Sequence, residues 1–246
     1  MAKQSGIVFF EGTLGGINFY YRKGVPTARR AGGGFSRKAI KTSSTMVRVR
    51  ESNSEFAGCA KVNRYFKQAL APFLGGHKDG SLHSRLMGLF LGIKDLDGIS
   101  KRGKRSVVLG FATERGRQLL ETFAVTPERP ALLKCTYGFD FDVLEFRVRD
   151  YSAGAAQFPE GADYMEVLVG LVRFDFETHA FAQVLAAPLV VERDFDGTAF
   201  SVGVDGLPEG DGALIAVVRV AFYQMVNGEG YLLPGGAGFG VGLFVG

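Results

Sequence analysis

Two long apolar segments in the second half of the chain decide the fold: residues 164–176 read YMEVLVGLVRFDF, and residues 214–224 read LIAVVRVAFYQ. Shorter segments of the same kind lie around them and predict further strands at 184–192, 198–204, 230–233 and 239–245. Between these strands stand Asp-Gly and Asn-Gly pairs, which favour tight hairpin turns, at 196–197, 205–206 and 227–228. Short strands separated by such turns are typical of an antiparallel β-sandwich.

The segment before these strands is also predicted to be β-structure. Short apolar runs indicate candidate strands at 106–111, 119–125 and 132–137. Residues 139–143 alternate between apolar and polar side chains, and the alternation changes parity at Leu144, as a β-bulge would cause. We therefore expect one antiparallel β domain over residues 106–246.

A helical hairpin is predicted nearer the N-terminus. Ser52 or Ser54 is a suitable N-cap for a first helix, and Gly75 is a suitable end. Apolar residues recur there at roughly helical spacing, namely Phe56, Cys59, Ala60, Phe66, Ala69, Leu70 and Phe73. A second helix is predicted over residues 81–93, and the short polar turn between the two makes an αα-hairpin.

The first fifty residues predict a β-hairpin and an arm. Residues 6–31 contain two predicted strands, at 7–11 and 17–22, joined by a glycine-rich turn. Ile17, Phe19 and Tyr21 occupy alternate positions and therefore share one face of the second strand. Residues 31–50 are basic and contain few large apolar side chains, so we expect an exposed arm without regular secondary structure.

Charge divides the chain along its length. Residues 1–105 carry 20 Lys and Arg against 6 Asp and Glu, a net of +14, whereas residues 151–246 carry 3 against 12, a net of −9. We therefore predict a mainly β (α+β) protein with two parts: a basic region over residues 1–105 and an acidic antiparallel β domain over residues 106–246. Such asymmetry indicates anionic partners or complementary faces on one subunit.

No catalytic or metal-binding pattern is recognisable. His77 and His83 are six residues apart instead of the four that place two ligands on one helix face. Neither a nucleophile elbow nor a P-loop occurs, and Cys59 and Cys135 are too isolated to indicate a disulfide framework. We predict no catalytic residue, no metal site, no cofactor and no small-molecule substrate, and hence a protein that is not an enzyme.

The apolar runs are also too short for a membrane helix, which needs about 20 residues. The N-terminal run Ile7–Phe10 is shorter than the apolar core of a secretory signal. We therefore expect synthesis in the cytoplasm and no membrane span, with any later release taking place as part of an assembly.

Basic side chains in two segments are candidates for contact with an anion or a nucleic acid. These are Arg37, Lys38 and Lys41 in the arm and Lys101, Arg102, Lys104 and Arg105 after the helical hairpin. Phosphate contacts of Lys and Arg supply most of the affinity in non-specific nucleic-acid binding. The same residues could equally form a solvated linker or a patch that docks on an acidic neighbour.

The last strand carries no charge, Lys or Pro to protect an open edge. Phe239, Val241, Leu243 and Val245 share one of its faces. Such a strand has to be paired, either inside its own sheet or in the sheet of a neighbouring subunit. With Ile17, Phe19 and Tyr21 of the N-terminal hairpin, these residues form the predicted assembly interface.

Three stretches resemble a group of uncharacterised bacterial proteins common in Bacteroidota. They are GIVFFEGTLGGINFYYRKGVPTAR at 6–29, TMVRVRESNSEFAGCAKV at 45–62 and VAFYQMVNGEGYLL at 220–233. The resemblance implies a β-rich bacterial protein that is one unit over most of its length. It implies no function and no site residues.

These observations favour a non-enzymatic structural protein that self-assembles, as a subunit of a filament, tube, shell or phage-like particle. Opposite charges on the two ends of one chain favour head-to-tail contacts, which can propagate, and we expect a homo-oligomer that forms by strand and arm exchange. The alternative is a nucleic-acid-binding protein that uses the basic N-terminal region.

Overall fold

The computed structural model of the chain describes residues 2–32, 36–75, 77–233 and 238–246. The chain forms two compact units, Met1–Arg50 and Glu51–Gly246. The border that the charge pattern predicts after residue 105 lies inside the second unit. The predicted α+β class with antiparallel sheets is confirmed.

The N-terminal unit contains a small antiparallel sheet. Its strands β1 (Ala2–Lys3), β2 (Gly12–Leu14), β3 (Ile17–Arg22) and β4 (Val25–Arg30) lie in the order β1-β4-β3-β2. The predicted strand at 17–22 is confirmed, whereas the one at 7–11 is wrong. The Gln4 side chain accepts a hydrogen bond from the Phe10 amide at 2.9 Å and donates one to the Phe10 carbonyl at 3.2 Å. The backbone of Phe10 is thus hydrogen-bonded to a side chain and not to a neighbouring strand, so no strand forms there.

Most of the described part of the predicted irregular arm is helical. Helix α1 (Arg37–Thr42) begins at Ser36, whose hydroxyl accepts a hydrogen bond from a backbone amide of the helix at 3.1 Å. A 3-10 turn follows at Ser44–Met46, and Arg50 donates a hydrogen bond of 2.7 Å back to a carbonyl of α1. The prediction is wrong because serine caps and one arginine stabilise a helix too short to show periodicity. Residues 33–35 of the arm lie outside the described residues.

The second unit contains the other α-helices of the described residues. They are α2 (Val47–Ala69), which begins in the last residues of the first unit, α3 (Ala71–Leu74), α4 (Leu82–Asp95), α5 (Val107–Phe111), α6 (Glu114–Glu121) and α7 (Ala153–Ala156). The predicted helical hairpin is confirmed as α2 and α4, where the rings of Phe66 and Phe90 meet edge-to-face with centroids 5.4 Å apart. No helix in the described residues is long and apolar enough to cross a membrane.

Helices α5 and α6 replace two predicted strands, at 106–111 and 119–125. Ser106 caps α5 by accepting from a backbone amide at 3.3 Å, and Thr113 caps α6 in the same way at 3.0 Å. Gly110 lets the α5 backbone approach α4 so closely that a Cβ atom there would collide with the Ile93 carbonyl. The prediction is wrong because a five-residue apolar run fits a strand and a buried helix equally well.

The strands of the second unit are β5 (Thr136–Asp140), β6 (Glu145–Arg149), β7 (Tyr164–Phe174), β8 (Phe181–Leu185), β9 (Leu189–Glu192), β10 (Phe200–Gly203), β11 (Ala213–Val226), β12 (Glu229–Leu232) and β13 (Phe239–Val245). In the large sheet β7 and β11 pair at the centre. On the outer side β11 pairs with β12 and β13, and β7 pairs with β8 and β9.

The small sheet has the order β10-β6-β5. Strands β5 and β6 are joined by a tight turn at residues 141–144, in which Leu144 has a left-handed φ of 55°. The predicted bulge at Leu144 is therefore wrong, because the change of parity marks a hairpin turn between two strands.

Both faces of the large sheet are buried. On one face Val169 packs in a cluster with Phe146 of the small sheet. On the other face Val172 packs in a second cluster with Phe66 of α2. The predicted sandwich-like pairing of two sheets is confirmed, and the helices add a third layer over the outer face of the large sheet.

Candidate assembly surfaces

The N-terminal unit has almost no core of its own. Among its described residues, 2–32 and 36–50, Thr27 is the single buried one. Small units of this length rarely bury enough apolar surface to be stable alone. Its exposed apolar side chains are therefore candidates for contact with a partner.

Four large apolar or aromatic side chains of this unit lie together on one face of its sheet. Ile17, Phe19 and Tyr21 alternate along β3, and the strand register places Leu14 of β2 directly opposite Ile17. Leu14 is 68% exposed, Ile17 42% and Tyr21 48%. We call this surface, Leu14, Ile17, Phe19 and Tyr21, the apolar face.

The opposite face of the same sheet is polar. Asn18, Tyr20 and Arg22 alternate along β3, and the register places Arg29 of β4 opposite Asn18. The Arg29 guanidinium lies over the Tyr20 ring, 5.4 Å from its centroid. The sheet is therefore amphipathic, and its apolar side is exposed.

An exposed apolar run lies beside this sheet. Residues 7–10, Ile-Val-Phe-Phe, are all exposed, and Ile7 is as exposed as in an extended chain. The Phe10 ring lies 5.6 Å from the Phe19 ring, so the run borders the apolar face. The sequence predicted a strand here, and therefore missed this extension of the apolar surface.

The N-terminal unit is strongly basic. The N-terminal unit carries ten Lys and Arg against the single acid Glu11, a net of +9. The candidate contacts Arg37, Lys38 and Lys41 are all exposed on α1. The structure thus presents these three predicted cations to solvent on one short helix.

The second predicted basic segment is divided between solvent and an internal cluster. Lys101 and Lys104 are exposed, and Arg102 lies 3.4 Å from the carboxylate of Glu51. Arg105 is engaged inside the protein: its Nε and a terminal nitrogen each donate to Glu55 at 2.9 Å. The guanidinium of Arg105 is therefore already paired with a carboxylate of its own chain, and its contact with an external anion stays a prediction.

The acceptor of this contact, Glu55, is a buried acid on α2. Its oxygens also accept from Lys94 Nζ at 2.9 Å and from the Gly103 amide at 2.7 Å. Hydrogen bonds from Arg105 above all, and then from Lys94 and Gly103, outweigh burial and lower the pKa of Glu55 to about 2. The cluster ties α2, α4 and the loop before α5 together, which is a structural role.

Sequence reasoning missed this cluster, although a signal was present. Glu55 lies on the same helical stripe as Cys59, Val62 and Phe66, since these positions follow it by four, seven and eleven residues. An acid on a buried stripe requires a cation from elsewhere in the chain. That reasoning would have predicted an internal partner for one of the basic residues.

The last strand belongs to the core of its own chain. Strand β13 pairs with β11 over its full length, from Phe239 opposite Ala221 to Val245 opposite Ile215. Phe239, Val241 and Leu243 are buried, and Val245 packs against the same cluster. The predicted assembly role of these four residues is corrected, because their side chains already face the helices.

The described residues contain no group of three or more His, Cys, Asp or Glu side chains arranged to hold a metal ion. Cys59 and Cys135 are free thiols. Burial raises the pKa of the Cys59 thiol to about 11, so it is not activated as a nucleophile at neutral pH.

Comparisons with protein-family models, with curated proteins and with solved structures found no match for this chain. Its function has to be inferred from the geometry of these surfaces.

Proposed function

We propose that this protein is a non-enzymatic structural subunit that self-assembles through its N-terminal unit. The observation that carries the proposal is the amphipathic sheet of that unit, whose apolar face is exposed in a unit with one buried residue among those described. The partner that the proposal names is a second copy of the chain.

The apolar face supplies the free energy of association. Fully burying a large apolar side chain contributes roughly 1.5–3 kcal/mol. Leu14, Ile17 and Tyr21 are each at least 42% exposed, and the run at 7–10 adds further apolar area. A contact that covers them is strong enough to offset the cost of bringing two subunits together.

Charge favours a second copy as the occupant. The N-terminal unit has a net charge of +9, and residues 151–246 have a net of −9. Exposed charge pairs contribute only about 0–1 kcal/mol each. They therefore affect the orientation and the rate of association more than its affinity. A basic unit that meets the acidic part of a neighbour makes a head-to-tail contact, which can propagate.

The N-terminal sheet leaves backbone available for strand addition. Strands β3 and β4 have six residues each, whereas β2 pairs with three residues of β3 and β1 with two residues of β4. A strand from a neighbour could extend such a sheet through main-chain hydrogen bonds. The proposed exchange thus involves the N-terminal strands and not β13.

Paired substitutions on the two faces of β3 test the proposal. Ile17→Asp adds a charge to the apolar face, and Asn18→Asp adds the same charge to the polar face one residue away. We expect Ile17→Asp to raise the concentration required for assembly by about tenfold or more, and Asn18→Asp to leave it nearly unchanged. Sedimentation velocity and electron microscopy of the purified full chain measure this.

The proposal fails if the full chain stays monomeric at high concentration. It also fails if Ile17→Asp assembles as the unsubstituted chain does. Circular dichroism of each variant shows whether the second unit is still folded.

The exposed cations of α1 favour nucleic-acid binding as a second candidate function. Arg37, Lys38 and Lys41 lie within two helical turns and are exposed. Neutralising all three with Gln should then weaken binding to any sequence and make the salt dependence less steep. Assembly in the absence of nucleic acid, unaffected by that triple variant, would favour the structural role.

A further inference from the structure

The second unit contains a hollow of about 850 Å³. Three cations line it, Arg129, Lys134 and Arg193, and Glu128 is the one carboxylate on its wall. Phe158 and two prolines supply an apolar part of the lining. Pockets of this volume are large enough for a ligand or a short peptide segment.

Aromatic rings and backbone carbonyls hold two of the cations in place. The Arg193 guanidinium lies over the Phe158 ring, 5.9 Å from its centroid, and donates to the Ala162 carbonyl at 3.0 Å. The Arg129 guanidinium lies 4.4 Å from the centroid of Phe222, and burial lowers its pKa. Positive charge fixed at a partly dehydrated site attracts an anionic group more strongly than a mobile surface lysine does.

This concentration of positive charge is local. Residues 106–246 contain nine Lys and Arg and nineteen Asp and Glu. Three of those nine cations line the hollow, against one of the nineteen acids. The hollow is therefore a basic site in the acidic half of the chain, and its complement is an acidic segment.

Such a segment lies in the loop between β10 and β11. Residues 205–212 read DGLPEGDG, and Asp205, Glu209 and Asp211 are all exposed. Leu207 is 51% exposed between these acids. The Pro208 carbonyl accepts a hydrogen bond from Arg173 at 3.1 Å, which anchors the loop and leaves Leu207 at the surface.

The loop and the hollow lie at opposite ends of the same strand. The loop ends where β11 begins, at Ala213, whereas the hollow lies beside Phe222, on which Phe158 packs with ring centroids 5.0 Å apart. Nine residues of extended strand span about 30 Å. The anchored loop cannot reach the hollow of its own chain, but it can reach that of another.

We propose that the acidic loop 205–212 of one copy binds the basic hollow of the next. Leu207 enters against Phe158, and the loop carboxylates meet Lys134 and Arg193. The contact rests on the proposed self-assembly and gives it a direction: it joins different surfaces of two copies, so it can propagate head to tail into a ring or an open chain.

A charge exchange tests this contact in the full-length protein. Asp211→Lys reverses a charge in the loop, and Lys134→Glu reverses one in the hollow. Each single variant should raise the concentration required for long assemblies by about tenfold, and the chain with both substitutions should recover assembly. Asp196→Lys and Arg149→Glu make the same charge changes at exposed positions outside the loop and the hollow, and they should assemble normally.

Two results overturn the inference. One is assembly of both single variants at the concentration of the unsubstituted chain, and the other is a double variant no better than either single variant. Measuring Ile17→Asp in the same assay distinguishes a failure of the loop–hollow proposal from a failure of the proposed function. If Ile17→Asp blocks assembly while both charge variants assemble, the N-terminal contact is supported and the loop–hollow contact is refuted.

Discussion

Glu55→Gln is expected to destabilise the second unit strongly. The carboxylate receives four hydrogen bonds, two from Arg105, one from Lys94 and one from the Gly103 amide. The amide side chain carries no charge and presents an NH₂ group to donors. Lys94, which is buried, then loses one of its two carboxylate partners and keeps only Asp95.

The size of the effect follows from two independent arguments. Removing one partner of a buried ion pair costs about 3–5 kcal/mol, and the retained Asp95 places this case at the lower end. The pKa of Glu55 falls from 4.5 to about 2 in the folded protein. At about 1.4 kcal/mol per pKa unit, this depression corresponds to a contribution on the order of 3 kcal/mol at neutral pH.

The sign of the pH dependence separates this cluster from ordinary packing. The folded-state pKa of Glu55 lies below its unfolded value, so its contribution is complete above about pH 4.5 and is lost as the pH falls toward 2. The difference in unfolding free energy between the unsubstituted chain and Glu55→Gln should therefore shrink over that interval. Urea unfolding followed by circular dichroism at several pH values measures it.

Glu121→Gln serves as the control, because Glu121 is an exposed acid at the end of α6. Its effect should stay within about 0.5 kcal/mol. The reasoning is refuted if Glu55→Gln unfolds at the urea concentration of the unsubstituted chain at pH 7. A difference that persists undiminished at pH 2 would also refute it.

Three further expectations concern the same unit. Deleting residues 239–246 should unfold it, since β13 places three buried side chains in the core; loss of a cooperative transition in circular dichroism would show this. Cys59 should react with a thiol reagent far more slowly than the partly exposed Cys135, because its thiol is buried and its pKa is raised to about 11. Gly110→Ala should lower the free energy of unfolding in urea by at least about 2 kcal/mol, because its Cβ would collide with a carbonyl of α4. Gly88→Ala, in open space on α4, is the control and should not destabilise.

The long elements of the fold could be predicted from the sequence because each shows either a long apolar run or an apolar stripe at helical spacing. Strand β7 lies within the predicted segment at 164–176, β11 (Ala213–Val226) extends slightly beyond the predicted segment at 214–224, and the α2–α4 hairpin follows the predicted apolar stripe. Helices α5 and α6 could not be predicted, since their periods are too short to distinguish a helix from a strand. What distinguishes them is the capping by Ser106 and Thr113, which a search for periodicity does not detect.

The candidate site could likewise be predicted only in part. The shared face of Ile17, Phe19 and Tyr21 follows from alternation alone, because a strand has only two faces. The partner of Arg105 does not follow, because Glu55 lies 50 residues earlier in the chain. For β13 the sequence left two pairings open, within the chain or between chains, and only the register with β11 decides between them.

The two proposed contacts have different roles in assembly: one supplies free energy of association and the other supplies direction. The second unit covers both faces of its large sheet with its own small sheet and helices, so it does not need a partner to complete its core. The N-terminal unit lacks such a core, and its apolar face can supply the free energy of association but little directional information. The acidic loop and the basic hollow contribute little net affinity through charge alone, yet they lie about 30 Å apart along one strand and therefore fix a direction. If both proposed contacts form, we expect a subunit to add to the next one head to tail, whereas the apolar face by itself would permit closed pairs.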